Sequence, residues 1–426
     1  MIKLEIDKGY NDLTIRIPFA WGLWIASKVR QAWESIPEAS NRVRGYVLTT
    51  IKALRRLIMG DASVVVSGKD LNAVLALLSK IVPKNKTFPI LGSIRLIAKD
   101  GALTLSATDL EMSGKFAIPV EVNNTLDLTL PFAEFWGACK GRETITLTLK
   151  DKRVIVNDSV SLFWIDSGEY PSFPGEVKGE ALSFAKAEFL RGIDATAWAA
   201  CRRENDSSRA SLTGVSITPK RMVATDGHRL SLYRLTGESG GEIVASPKFL
   251  NLLTTLKGLL TDPVTLYHNE KYIALGDAGW MIVSKNIWDE RPYPDVEKVI
   301  PAKMDTQFTM TVDKVSLDSL VKRAMSFADT YTYQVKFTLN GNLQAESSNP
   351  DKGSFKEAIP CEVEAKAGKE AGITIGFNGR YLRTILKALP GPKVQAEFGT
   401  ALSASIWTMP GNDKRTCLLM PIRLPE

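Results

Sequence analysis

The chain has little of what most metal, redox and membrane chemistry needs. His228 and His268 are its two histidines, and its four cysteines, Cys139, Cys201, Cys361 and Cys417, stand far apart with no C-x-x-C spacing. That pattern argues against a zinc site or a thioredoxin-like redox pair, and reduced thiols are the simplest reading. Long apolar runs are also missing: the stretch from Ile17 to Ala26 is broken by Pro18 and Gly22, well short of the roughly 20 residues a membrane span requires. The N-terminus lacks a basic start leading into an apolar run and a small-residue cleavage site, so no secretory signal is expected. These absences predict a cytoplasmic location, no metal and no cofactor.

What is present is ordinary in bulk and specific in pattern. With 426 residues, 44% apolar and 24% charged, the chain exceeds what one hydrophobic core usually serves and predicts two to four domains. A net charge of +7 with a pI near 9.0 is compatible with a polyanionic partner.

An internal threefold repeat fixes the architecture. Ser63 to Val82 reads as a β-branched strand, Val64-Val65-Val66, followed by a helix with Leu71, Val74, Leu75, Leu78 and Val82 on one face. Ser67 with Asp70 three residues on has the form of a capping box. Ala181 to Ala200 repeats the plan with Leu182 and Phe184 in the strand and Phe189, Leu190, Ile193 and Ala197 on the helix. Thr306 to Phe327 repeats it again, with Asp313 or Ser316 as cap and Leu317, Leu320, Val321, Ala324 and Met325 as the buried stripe.

Second helices are expected over Phe132 to Lys140, Pro247 to Lys257 and Asn378 to Leu389. Alternating strands follow each: Ile145 to Leu149 with Val154 to Val156, Val264 to Leu266 with Ile273 to Leu275, and Val394 to Phe398 with Leu402 to Ile406. Period-two alternation suits sheets with one buried and one solvated face. The fold class is therefore α+β: three similar domains over 62–180, 181–304 and 305–426, each with two helices packed on antiparallel sheet. An unmatched, mostly helical N-terminal extension covers 1–61. Its opening, Ile2-Leu4-Ile6 and Leu13-Ile15-Ile17 around Gly9 to Asp12, suggests a hairpin, and two helices are expected beyond it. That leader reads either as a helix pair packed on the outside of the repeat or, through Arg42, Arg44, Lys52, Arg55 and Arg56, as a basic contact element.

Six short stretches then carry a family resemblance. Phe88 to Gly92 and Gly101 to Glu111 lie in the first repeat, Val223 to Leu230 and Tyr293 to Val296 in the second, and Ile375 to Asn378 with Tyr381-Leu382, then Leu418 to Leu424, in the third. In this order and spacing the chain from Ala62 to Glu426 resembles the bacterial DNA sliding clamp, the beta subunit of DNA polymerase III. The resemblance implies the DNA-clamp fold and a head-to-tail homodimeric ring that encircles double-stranded DNA without doing chemistry. The partners it implies are the DNA polymerase III catalytic subunit, the clamp loader and other clamp-binding repair and replication proteins.

Site residues follow from the same resemblance. The pocket for partner peptides falls on Leu212, Thr225, His228, Arg229, Leu230, Pro294, Val299, Ser403, Met420, Pro421, Ile422, Arg423 and Leu424. DNA contact falls on the helices turned inward and nearby loops: Lys84, Lys86, Arg202, Arg203, Arg209, Lys248, Lys298, Lys322, Arg323, Arg380 and Arg383, with Lys387 beside them. Contacts there would be phosphate-directed and sequence-blind. A dimer seam would pair Val160 and Leu162 with Met325 and Phe327.

Blander readings exist for the same residues. Each Lys or Arg also suits a merely solvated helix face, and Met420 to Leu424 would pass as an edge strand ended by proline. Asp226 with His228 has the composition of a catalytic pair, but no G-x-S-x-G elbow, glycine-rich oxyanion loop or third orienting group accompanies it. A turn at Thr225-Asp226-Gly227 is expected instead. A clamp-like paralogue that binds clamp partners without loading on DNA is the competing functional class.

Overall fold

A computed structural model describes residues 5–6, 13–14, 62–84, 88–175, 177–202, 209–237, 240–287, 293–302, 305–366 and 372–424. In the leader, β1 (Glu5–Ile6) and β2 (Leu13–Thr14) pair antiparallel, with Glu5 opposite Thr14. The two helices expected beyond them lie outside the described residues. The chain divides into two compact units, one of residues 1–110 with 114–173, the other of 111–113 with 174–426.

The first unit opens with β3 (Ser63–Ser67) and α1 (Gly68–Leu78). There follow β4 (Ser93–Lys99), β5 (Ala102–Thr108), β6 (Met112–Pro119), β7 (Glu121–Val122) and β8 (Leu126–Pro131). It ends with α2 (Phe132–Cys139), β9 (Thr144–Lys150), β10 (Arg153–Val156) and β11 (Val160–Phe163). One sheet has the order β11-β10-β9-β3-β7, and β6, β5, β4 and β8 neighbour one another in that order in another. Alternation sets the faces: Val64 and Val66 are buried while Val65 points to solvent. Helix α1 buries Leu71, Leu75 and Leu78, each worth about 1.5–3 kcal/mol of burial. The predicted cap is in place, with the Asp70 N–H donating to Ser67 Oγ at 3.3 Å. Gly68 starts the helix because an added Cβ would sit 1.8 Å from the Arg142 carbonyl oxygen.

The second unit repeats the strand-to-helix opening twice, with β12 (Glu180–Phe184) before α3 (Lys186–Thr196). Next come β13 (Val215–Thr218), β14 (Arg221–Thr225), β15 (Arg229–Arg234), β16 (Ile243–Ala245) and α4 (Pro247–Thr255). After them run β17 (Val264–His268), β18 (Tyr272–Asp277) and β19 (Trp280–Lys285). The next opening is β20 (Phe308–Asp313) before α5 (Lys314–Ser326), then β21 (Gln334–Leu339), β22 (Leu343–Asn349), β23 (Gly353–Ile359) and β24 (Glu362–Ala365). The last elements are β25 (Ile373–Asn378), α6 (Gly379–Ala388), β26 (Lys393–Phe398), β27 (Ser405–Met409) and β28 (Asn412–Leu419).

Nine strands of the second unit form one sheet in the order β16-β13-β14-β15-β28-β27-β26-β20-β24, and four form another in the order β23-β22-β21-β25. Strands β12, β17, β18 and β19 are also neighbours in that order. Phe377, Phe398 and Trp407 centre one core, Trp407 meeting the two phenylalanine rings edge-on at 6.2 and 6.0 Å. Asp313 caps α5, accepting from the Ser316 N–H at 2.7 Å, and Asn378 caps α6 through the Arg380 and Tyr381 N–H groups.

Two sequence expectations are corrected. Met325 is half-buried beside the core rather than within the α5 stripe. The strand expected from Leu402 begins only at Ser405, because Thr400 to Ser403 closes a turn in which Ser403 Oγ accepts from the Thr400 N–H at 2.8 Å. Turn hydrogen bonding overrides the apolar alternation there, leaving Leu402 61% exposed.

Candidate functional site

The β14–β15 hairpin carries a turn fixed by its own side chains. Thr225 lies opposite Leu230 in its register, and the turn between them is knotted by side chains. Asp226 Oδ1 accepts from the N–H groups of His228 and Arg229, both at 3.0 Å. Thr225 Oγ1 donates to the Arg229 carbonyl at 2.8 Å and accepts from the Gly227 N–H at 3.1 Å. Gly227 takes φ +85°, which glycine adopts without strain. The turn expected from the sequence is therefore present, and it uses the Asp226 carboxylate structurally.

Arg229 locks the turn to helix α6. Its Nε donates to Asp226 Oδ2 at 2.9 Å, and another guanidinium nitrogen donates to Thr384 Oγ1. The same cation lies 4.9 Å from the Tyr381 ring and 5.3 Å from the Trp198 ring. His228 stacks on Tyr381 at 5.5 Å, so its imidazole faces an aromatic and not Asp226. Burial first, then the Asp226 charge, raises the Tyr381 phenol above its ordinary pKa. Tyr381 thus belongs to this site although sequence reasoning used it only as a marker of resemblance. The missed signal is its place four residues before Ile385 on the first turn of a capped helix.

Two further segments converge on the hairpin. Strand β28 pairs with β15, Leu418 opposite Leu230 and Leu419 opposite Arg229. Past Leu419 the tail continues, the Met420 N–H donating to the His228 carbonyl and the Ile422 N–H to the Gly376 carbonyl, each at 2.8 Å. Gly376 allows this crossing, since a Cβ there would meet Ile422 O at 2.7 Å and Leu424 Cδ2 at 2.8 Å. Segment 293–300 closes the other side: Val296 packs with Val223, Leu230, Leu232, Ile406 and Leu418, and Tyr293 and Ile300 cover the cluster. Burial holds the Tyr293 phenol well above its ordinary range.

The residues expected at a pocket are distributed around this floor. Leu230 and Thr225 are buried, Pro294, Ser403, Pro421, Ile422 and Leu424 half-buried, and His228 and Arg423 exposed. Val299 and Met420 are large apolar groups left 47% and 39% exposed. Leu212 is buried in the turn before β13, its carbonyl accepting from the Cys201 N–H.

The basic residues fall into two groups. Arg323 pairs with Glu357, Arg383 with Asp318 on α5 at 2.7 Å, and Lys298 with Asp295 at 3.3 Å, while Arg380 lies 3.5 Å from the Tyr333 ring centre. Lys84, Arg202, Arg209, Lys248, Lys322 and Lys387 are exposed. Lys86 and Arg203 lie outside the described residues. Val160 and Leu162 are on β11, the edge strand of its sheet. Phe327 follows α5 and stacks on Phe355 of the edge strand β23. Among the described residues no cluster of three or more His, Cys, Asp or Glu side chains is arranged to hold a metal ion, and no helix is long and apolar enough to cross a membrane.

Comparison with known proteins shows the family and the fold. Residues 63–174 match the family model for the DNA polymerase III beta subunit, N-terminal domain, and residues 297–423 that for its C-terminal domain, together more than half of the chain. The beta sliding clamp of Synechococcus elongatus is 26% identical over 384 residues, spanning 83% of this chain and 97% of that relative. The solved sliding clamp of Pseudomonas aeruginosa bound to griselimycin aligns with a TM-score of 0.76 at 22% identity, covering 86% of this chain and all of that one. The DNA polymerase III beta subunit of Thermotoga maritima aligns equally well, at 21% identity over 85% of this chain and all of its own. With both family domains present in order on a clamp fold, the chain belongs to the bacterial DNA polymerase III beta subunit family, the beta sliding clamps.

Proposed function

We propose that this protein is a DNA sliding clamp, a non-catalytic ring that encircles duplex DNA and tethers the replicative polymerase for processive synthesis. The observation that carries the partner-binding half is the convergence of the 225–230 turn, segment 293–300 and the 420–424 tail on one apolar floor. An extended peptide would seat its apolar anchors against Val299, Met420 and Leu230, with backbone partners along the tail. Shallow apolar grooves with a few polar groups capture short peptides in this way. The same groove would serve the clamp loader and repair proteins in turn. The protein works in the cytoplasm, as three clamp domains over 62–180, 181–304 and 305–426 preceded by an accessory leader.

Assembly follows from edges. Strand β11 and strand β23 are each the last in their sheets, and unpaired edges invite pairing with another chain. A β11 edge with Val160 and Leu162 meeting the Met325 and Phe327 end of a second copy gives a head-to-tail contact, which closes as a ring when the rotation fits. Exposed cations on helices would then contact phosphates, with binding that weakens as salt rises.

The test is deletion of Met420 through Leu424. The truncated protein should remain dimeric by light scattering and lose polymerase binding; undiminished binding would refute the groove. The intact protein should stay on nicked circular DNA after loader treatment and leave when the circle is cut. A ring that binds polymerase yet is never retained would be a partner-binding paralogue.

A further inference from the structure

A second concavity shares a wall with the groove. Thr218, Pro219, Lys220, Arg221, Arg234 and Glu297 line a cavity of about 480 Å³ that opens to solvent where β14 begins and β15 ends. Arg221 and Arg234 stand directly opposite each other in the β14–β15 ladder, a placement in which like charges repel. Glu297 offsets Arg221 at 3.5 Å. Lys220 and Arg234 have no ion-pair partner among the described residues. Among the described residues that line it, three cations face one carboxylate.

The shared wall sets the distance between the two sites. Tyr293 donates its hydroxyl to the Val223 carbonyl at 3.4 Å, Val296 joins the groove floor, and Glu297 reaches Arg221. Segment 293–297 therefore runs alongside β14 from its Val223 region to its start. From Thr225 to Arg221 the strand spans roughly 13 Å, four residues at about 3.3 Å each. An extended peptide anchored at the Thr225 end and running along this wall brings a residue about four positions away over Arg221 and Arg234.

We infer that Lys220, Arg221 and Arg234 form a carboxylate subsite that reads an acidic residue flanking the apolar anchor of a partner peptide. The inference rests on the groove reading above. Guanidinium groups suit a carboxylate because their N–H donors match its two oxygens. A duplex presents its phosphates on a convex surface, which exposed helix cations reach more readily than a concavity with Glu297 on one wall.

The experiment uses the full chain and synthetic peptides that share one anchor of large apolar residues. They carry either two glutamates or two glutamines about four residues away, on the N-terminal side in one set and the C-terminal side in the other. Fluorescence anisotropy should give the acidic version a three- to tenfold advantage, roughly what solvated to partly desolvated charge pairs supply, on one side only. Lys220→Gln with Arg234→Gln should abolish that advantage and leave the glutamine peptide's affinity unchanged. Equal binding of acidic and neutral peptides, or an advantage that survives both substitutions, overturns the subsite while leaving the groove intact. Failure of every peptide to bind overturns the groove reading and the subsite with it. Weaker retention on circular DNA by the double variant, with peptide preference unaltered, assigns the cations to phosphate and also overturns the inference.

Discussion

Removing the Arg229 guanidinium should damage both the stability of the second unit and its groove. The Arg229 and Asp226 side chains are only 13% and 11% exposed, so Arg229→Ala leaves a nearly buried carboxylate without its cation. Breaking a buried pair from one side costs about 3–5 kcal/mol. Asp226 Oδ1 keeps two backbone N–H donors, which brings the loss toward the lower end. Loss of the cation from the Trp198 and Tyr381 rings adds about 0.5–1 kcal/mol for each. The expected total is about 4–5 kcal/mol, read as a lower urea midpoint with faster hydrogen exchange at residues 226–230. Arg229→Lys should recover only part of it, because one ammonium cannot reach Asp226 and Thr384 while stacking on two rings. In a double-mutant cycle with Asp226→Ala the coupling should exceed about 1.5 kcal/mol. A loss under about 0.5 kcal/mol would mean that the pair behaves like a solvated surface ion pair, and the reasoning would fail.

Three more outcomes follow from burial, packing and charge. Gly227→Ala meets no neighbouring atom and carries only the strain of φ +85°, about 1–2 kcal/mol; Gly68→Ala drives a Cβ into the Arg142 carbonyl and should cost about 3 kcal/mol or more, so thermal melts that rank the two the other way would contradict the packing. Trp407→Ala removes a fully buried ring that donates to Ser405 Oγ at 2.8 Å and should lose about 3–5 kcal/mol, checked by denaturant unfolding. Hydrogen bonds from Arg95 to Asp127, from Lys414 to Glu188 and from Lys336 to Glu346 hold all three carboxyls below their ordinary pKa. Their contribution is complete above the unfolded values near about 4 and fades as pH falls through the folded ones; an acid unfolding limb unmoved by Asp127→Asn with Glu188→Gln and Glu346→Gln would refute that.

Helices were legible because their signals are local. Ser67 and Asp313 announce α1 and α5 three residues ahead of the groups they cap, and the apolar spacing of Leu71, Leu75 and Leu78 or Leu317, Leu320 and Val321 needs no tertiary information. Leu402 misled for the same reason: alternation from Leu402 to Ile406 is a two-residue pattern that a hydrogen-bonded turn at Thr400 overrides. The residues of the proposed groove rest on family resemblance, since no periodicity links residues 225–230, 293–299 and 420–424. Ion pairing was not readable at all. Arg383 and Asp318 are far apart in sequence and meet only because α5 packs against α6.

The placement of Tyr381 explains why the groove and the helix α6 charges should not behave independently. His228 and Arg229 both lie on its ring, while its neighbour Arg380 stacks on Tyr333 and Arg383 holds Asp318. A peptide that shifts the 225–230 turn must therefore move Arg229 against Thr384 or carry α6 with it, because the guanidinium has donors committed at both ends. Packed elements of this kind shift between discrete arrangements rather than deform smoothly. In the proposed ring, a partner seated in the groove would therefore bear on α6 through Arg229, which holds Thr384 and the Tyr381 ring together, contacts that the apolar pattern of the sequence does not mark.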